Sequence, residues 1–288
     1  MKAIVFVLAA LATSAIQAAT ITAGPYGGMW HYGSTWVGGT VPTASDDVRL
    51  DATSGNVIMR NTQFCRSLDC TGYTKTLTLN SGRGLLVGYA IESDPGNVVT
   101  LSGTMTLNDL AGSYLLVGKA GGGMRGVATS GQVVPTMKLI NVCLVDALAC
   151  TGNYIQVWES FDSSGQAMSC PMLRTTDGSS AAFGTSQIST SWLDFSSGSA
   201  VDIEQANVTL GLYGYGVVQS SHQFGTVKFV RGQTHEIRGS SEFAAIELVG
   251  ASAATTIKFQ GETTTTLTGA NPLPSGDAGG QLTLCGTP

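Results

Sequence analysis

Beyond residue 18 the chain holds no sustained 3.6-residue apolar repeat flanked by capping side chains, which argues against long helices. Two-residue alternation recurs instead. Thr76-Leu77-Thr78-Leu79, residues 98–101, Met105-Thr106-Leu107 and Val208-Thr209-Leu210 each set apolar side chains on one face and polar ones on the other. Gly, Asn, Ser and Asp, the residues that favour turns, separate these runs. Only 11% of residues are charged and 43% are hydrophobic, the opposite of the balance that keeps a chain disordered. The pattern predicts an all-β fold.

Internal similarity narrows the choice. Thr78-Leu79-Asn80 followed by Leu85-Leu86-Val87-Gly88 returns as Thr106-Leu107-Asn108 followed by Leu115-Leu116-Val117-Gly118. Thr226-Val227-Lys228-Phe229 returns as Thr256-Ile257-Lys258-Phe259, with Ile237 and Gly239 matched at the same offset by Leu267 and Gly269. The recurrence is roughly 30 residues, within the range of solenoid repeats. A unit of short strands and polar turns buries its apolar face only by stacking on the next unit. The expectation is therefore a right-handed parallel β-helix. A β-sandwich or jelly roll is the alternative, since turn signals spaced roughly 8–12 residues apart suit it too. One domain covers residues 19–288, with irregular loops or lateral insertions about 121–199. There Gly121-Gly122-Gly123, residues 160–165 and residues 175–191 read as loops, anchored on the coil by Trp158, Trp192 and Phe195. A solenoid needs a cap at each end, and none is recognisable near Gly286-Thr287-Pro288, so the chain is expected to be the N-terminal part of a longer protein.

Residues 1–18 read as a signal peptide. Lys2 gives a positive start, residues 3–12 are apolar, and Ile16-Gln17-Ala18 supplies a cleavage site. The apolar run is too short to span a bilayer, and no later stretch reaches that length. The mature protein is expected outside the cell or at its surface. A net charge of −5 without a basic cluster argues against nucleic-acid binding.

Six cysteines follow the signal: Cys65, Cys70, Cys143, Cys150, Cys170 and Cys285. In an oxidising compartment an even count suggests disulfides. Cys143 and Cys150 bracket a short segment and are the candidate pair, with Cys170 as a competing partner. Cys65 and Cys70 cannot join if the residues between them form one straight strand, and buried free thiols are the alternative there. Paired Cys-x-x-Cys spacing for zinc is absent.

Near the N-terminus, Trp36 offers an apolar lid for the first coil, and Gly38 with Gly39 allows a tight turn. Pro42 blocks strand addition, and Asp46 with Asp47 can accept hydrogen bonds from turn amides. These residues form a candidate structural cap, joined by His31 between Trp30 and Tyr32. The same stretch, Thr35-Trp36-Val37-Gly38-Gly39, Val41-Pro42 and Asp46-Asp47-Val48-Arg49-Leu50, resembles the opening of secreted bacterial and phage-associated right-handed β-helix surface proteins, G8-domain-like or adhesin-like. Cys65 to Gly72, Leu77-Thr78-Leu79, Thr256-Ile257-Lys258-Phe259, residues 263–266 and residues 276–284 extend the likeness over about half of the chain. The resemblance implies a β-helix with a surface or extracellular role and transfers no catalytic residue.

Candidate chemistry is sparse. Asp202 and Glu204 lie two positions apart and share a strand face, together with Asp194 nearby, so they are candidates for a β-helical polysaccharide lyase or glycoside hydrolase. His222 and His235, with Glu236 and Arg238, are candidates for an acid–base set if neighbouring coils bring them together. Trp192, Tyr213 and Tyr215 are candidate stacking platforms of a glycan-binding module. Gly-x-Ser-x-Gly and His-Glu-x-x-His motifs are missing, Gly121 to Gly126 lacks the lysine of a phosphate loop, and Gly276-Asp277-Ala278-Gly279-Gly280 is a single echo of a calcium repeat. No cofactor is implied. The leading expectation is a secreted non-enzymatic β-solenoid, a surface, fibre or adhesin-type structural module whose partners are surface glycans or other surface proteins.

Overall fold

The structure is a computed structural model that describes residues 18–91, 98–103, 106–109, 114–121, 123–129, 133–134, 136–251, 253–269 and 282–286. Residues 1–17 of the expected signal, Met105, Gly122 and residues 276–280 lie outside the described residues. The chain winds into a parallel β-solenoid of about ten turns. The only helical element among the described residues is a 3-10 turn at Gly33–Thr35. Every pairing between named strands is parallel, which excludes the antiparallel sandwich or jelly roll.

Each turn contributes strands to three walls. The first wall stacks Thr20–Thr22, Asp47–Arg49, Ser67–Cys70, Val98–Gly103, Arg125–Ala128, Val142–Leu144, Ser160–Asp162, Ser180–Ala182 and Ala200–Asp202. The second opens with Gly28–Met29, Val57–Met59, Thr76–Leu79 and Thr106–Asp109, and its later coils include Leu148–Cys150 and Asn207–Leu210. The third runs from Gln63–Cys65 through Gly84–Val87, Tyr114–Gly118, Met137–Ile140 and Ile155–Val157. It continues to Val217–Gln219, Thr234–Arg238, Thr255–Phe259 and Leu282–Gly286. Met168–Thr175 and Gln187–Asp194 are long enough to serve the second wall with their first halves and the third with their second.

The coil length differs from the one the sequence suggested. Ser160 pairs with Ser180 and Ser180 with Ala200, while Met168 pairs with Ile188 and Ile188 with Val208. These coils therefore advance by about 20 residues, the short end of solenoid repeats. The longer step read from the sequence does occur where Leu77 meets Leu107 and Leu85 meets Leu115. The matched Thr-Leu-Asn runs are paired two positions out of the alignment read from sequence, with Thr76 rather than Thr78 opposite Thr106. The second similarity does not join successive coils at all. Val227 pairs with Val208 and Ile246 on the second wall, whereas Ile257 pairs with His235 and Leu284 on the third. The two segments look alike because each is an inward-apolar strand, not because one stacks on the other.

Alternation explains the core. Leu77 and Leu79 point inward and are fully buried, while Thr76 and Thr78 between them stay partly exposed. The same choice repeated from Ile21 to Ile257 makes one continuous apolar column. Five phenylalanines form a ladder within it. Phe161 meets Phe183, Phe183 stacks on Phe195, Phe195 on Phe224, and Phe224 on Phe243, with centroids 5.1–6.2 Å apart.

The stretch expected to be loops is the most regular part of the stack. Ser160–Asp162, Ser180–Ala182 and Gln187–Asp194 are strands in the short, evenly spaced coils, and Phe195 is a core side chain. The serines that suggested loops sit at the corners, where they pair buried polar groups. Ser163 Oγ donates to the Phe183 carbonyl at 2.9 Å, Ser186 Oγ donates to Ser163 Oγ at 2.6 Å, and Thr175 and Ser199 hydroxyls meet at 2.8 Å.

Candidate functional site

At the N-terminal end, Trp36 is buried against Trp30 with ring centroids 4.8 Å apart, and its Nε1 donates to the Trp30 carbonyl at 2.6 Å. Gly38 and Gly39 hold φ of +83° and +76°, a turn that side chains resist. Pro42 is buried. Asp46 accepts from the Thr43 amide and hydroxyl at 2.8 and 2.6 Å. Asp47 does not bind a turn amide. It lies within a strand and takes Nε and Nη2 of Arg66, which ties one coil to the next. His31 sits edge-on to Tyr32.

Asp202 and Glu204 both point outward, because Ile203 between them is fully buried. Asp202 stacks on Ala182, so that neighbouring coil offers no second carboxylate. Glu204 opens on a shallow depression of about 180 Å³ that it shares with Gln205, Gln223 and Glu242, where Gln223 already donates to Glu242 at 3.0 Å.

The histidines do not converge. His235 is completely buried inside the third wall, where Nδ1 accepts from the Gly216 amide at 2.9 Å and Nε2–H donates to the Val230 carbonyl at 2.7 Å. Those two bonds fix the tautomer, and burial holds the imidazole pKa below its usual value. His222 stands at a corner outside the core, its Nδ1 2.9 Å from Ser220 Oγ and its Nε2 2.9 Å from the Ser199 carbonyl. Both rings are spent on backbone and corner hydrogen bonds and do not form an acid–base set.

The expected Cys143–Cys150 bridge is not formed, and all six cysteines are free thiols. Val142 and Leu144 point into the core, so Cys143 between them faces out beside Asp162, whereas Cys150 faces in. Burial raises the thiol pKa of Cys65, and that of Cys70 to about 12, Cys150 to about 11 and Cys170 to about 12. Among the described residues no group of three His, Cys, Asp or Glu side chains is arranged to hold a metal ion.

The third wall gathers the most chemistry. One outward row runs in register through Lys138, Gln156, Arg174, Asp194, Gln219 and Arg238. The row beside it runs through Met172, Trp192, Val217, Glu236 and Lys258. The cations lie over aromatic rings: Lys138 over Tyr114 and Trp158, Arg174 over Tyr154, and Arg238 over Trp192, at 4.4–5.7 Å. Tyr213 and Tyr215 stand about half exposed on the loop that leads into Val217–Gln219. The Tyr213 hydroxyl meets Ser169 Oγ at 2.7 Å, and its amide donates to Ser191 Oγ at 3.0 Å. Trp192 thus lies on the third wall, while Tyr213 sits at the corner before it, its hydroxyl reaching Ser169 in the second-wall half of Met168–Thr175.

At the C-terminal ends of the third-wall strands lies a cleft of about 460 Å³ lined by Gln219, Ser221, Glu236, Arg238 and Gln260. Arg238 Nη2 donates to Glu236 at 2.7 Å, a bond that lowers the carboxyl pKa and raises that of the guanidinium. A carboxylate held ionised accepts hydrogen bonds from hydroxyls but is a poor proton donor. Amides, hydroxyls and one ion pair, with Arg238 lying over the Trp192 ring, suit recognition of a polyhydroxylated ligand. Sequence reasoning missed Lys138, Arg174, Gln219, Lys258 and Gln260. The shorter coil step would have found them, since Arg174 is followed by Asp194 and Gln219 by Arg238 in adjacent coils. No protein-family model, curated protein or solved structure gives a significant match to the chain.

Proposed function

We propose that this chain is a secreted, non-enzymatic β-solenoid that serves as a surface or adhesin-type module and holds glycans on its third wall. The observation that carries the reading is Arg238, which lines a cleft of amides and hydroxyls and lies over the Trp192 ring, with Tyr213 and Tyr215 half exposed on the loop that enters the same wall. Aromatic faces pack on the C–H faces of sugars, and the cleft groups pair with their hydroxyls. Export is supported by the N-terminal run from Lys2 to Ala18. The absence of turnover in this proposal rests on His222 and His235 being consumed by structural bonds and on Glu236 being held ionised. A stack in which each coil leans only on its neighbours is a stiff spacer, suited to presenting a wall away from a surface. The likeness of residues 35–50 to adhesin-like secreted β-helices points the same way.

Retention of the purified protein on an immobilised panel of neutral and acidic glycans tests this. Replacing Trp192, Tyr213 and Tyr215 together by Ala is expected to weaken retention about tenfold or more. Unchanged retention, with strand content intact by circular dichroism, removes the glycan reading.

A further inference from the structure

We propose that the ligand of the third wall is an acidic polysaccharide, lying along the solenoid axis with its carboxylate or sulfate groups on Lys138, Arg174, Arg238 and Lys258. This rests on the glycan-holding reading above and names the chemical class of the glycan.

Charge is distributed unevenly between walls. From Met137 to Phe259, the strands of the third wall carry Lys138, Arg174, Arg238 and Lys258 against Asp194 and Glu236. From Val142 to Asp202 the first wall carries Asp162 and Asp202 and, among the described residues, no lysine or arginine. A net positive strip in a chain of charge −5 is the complement of a polyanion, and the acidic wall repels one.

The cations are also placed to be used. Arg174 meets Asp194 only at 3.6 Å, beyond hydrogen-bond length, so its guanidinium keeps donors for a second anion. Arg238 spends Nη2 on Glu236 and is still a third exposed at its side chain, with further N–H groups in its fork. Packing on Tyr114, Trp158, Tyr154 and Trp192 holds these heads at the wall, which lowers the ordering cost of binding. Lys138 and Lys258 stand on the first and last of seven successive strands, six steps of about 4.8 Å, or roughly 29 Å. A strip that long fits an extended polymer, where several weak charge contacts act together.

The test uses polygalacturonate as the uronate probe, dextran sulfate as the sulfate probe and dextran as the neutral control, each titrated against the intact protein. Binding of one or both acidic polymers is expected to exceed dextran at least tenfold. It should fall steeply from about 0.01 M to about 1 M salt, as the screening length drops from about 30 Å to about 3 Å. Lys138→Gln and Lys258→Gln, tested singly and together, are expected to weaken acidic binding about tenfold when combined, while Asp162→Asn on the first wall leaves it unchanged. Hydrogen exchange of the core strands checks that each variant keeps the stack. Dextran binding as tight as polygalacturonate and insensitive to salt overturns the acidic class but leaves the glycan reading standing. No binding to any polymer overturns both. Acidic binding undiminished in the double lysine variant overturns the placement on the third wall.

Discussion

Truncating Phe224 to Ala removes a ring with two stacked neighbours, and the cost can be worked from its surroundings. Phe224 is 3% exposed, with Phe195 at 6.2 Å and 9° between planes, and Phe243 at 5.1 Å and 15°. A buried Phe→Ala change costs about 3–5 kcal/mol through lost transfer energy and the cavity left behind. Each aromatic pair adds about 0.5–1.5 kcal/mol beyond burial. Phe161 has a single ring neighbour, Phe183, tilted by 52°. Phe224→Ala should therefore be the costlier of the two by about 1 kcal/mol. A Phe224→Ala, Phe243→Ala double variant should show a coupling of about 0.5–1.5 kcal/mol, whereas Phe161→Ala with Phe243→Ala should be additive within about 0.5 kcal/mol. Urea unfolding followed by circular dichroism gives the energies. Hydrogen exchange locates the loss, because a solenoid opens next to the damaged coil first. A loss below about 1 kcal/mol for Phe224→Ala, or equal coupling for the distant pair, would refute a packed ladder.

His235 should make stability depend on pH. Its folded-state pKa is lowered by burial, so the unfolded chain binds the proton more readily, and stability is lost as pH falls below about 6.5 toward the depressed value. His235→Leu should be less stable by about 1–3 kcal/mol, since it leaves the Gly216 amide unpaired, but its profile below about pH 6.5 should be flatter, and equal slopes would contradict the assignment. Thiol labelling of the folded protein should be slow at Cys65, Cys70, Cys150 and Cys170 and faster at the partly exposed Cys285, with denaturant removing the difference. Labelling of Cys170 at the rate of Cys285 would contradict its place in the core.

Much of the fold can be read from the chain, because alternation survives in many of the longer strands, as at Thr76-Leu77-Thr78-Leu79. It fades where a short strand has one inward side chain, as in Ser160-Phe161-Asp162 and Ser180-Ala181-Ala182, whose serines look like loop residues. The short coil step is hidden for a related reason: stacking constrains only inward positions, and Ile, Val and Leu replace one another there freely, as in Ile188 on Val208. The Cys143–Cys150 pairing rests on spacing along the chain, which carries no record of which side of the wall each thiol faces. The aromatic triplet Trp192, Tyr213 and Tyr215 is legible by residue type. The cations that accompany it are not, since Lys138, Arg174 and Arg238 come together only once the coil length is known.

A wall that holds a polysaccharide without cutting it is the central claim, and one incubation measures both parts. Polygalacturonate is mixed with purified protein, and retained polymer, new reducing ends and unsaturated products are followed together. The expected result is retention that falls with salt and a polymer whose length does not change. Chain shortening or unsaturated ends that disappear in Asp202→Ala would contradict it and make the protein an enzyme.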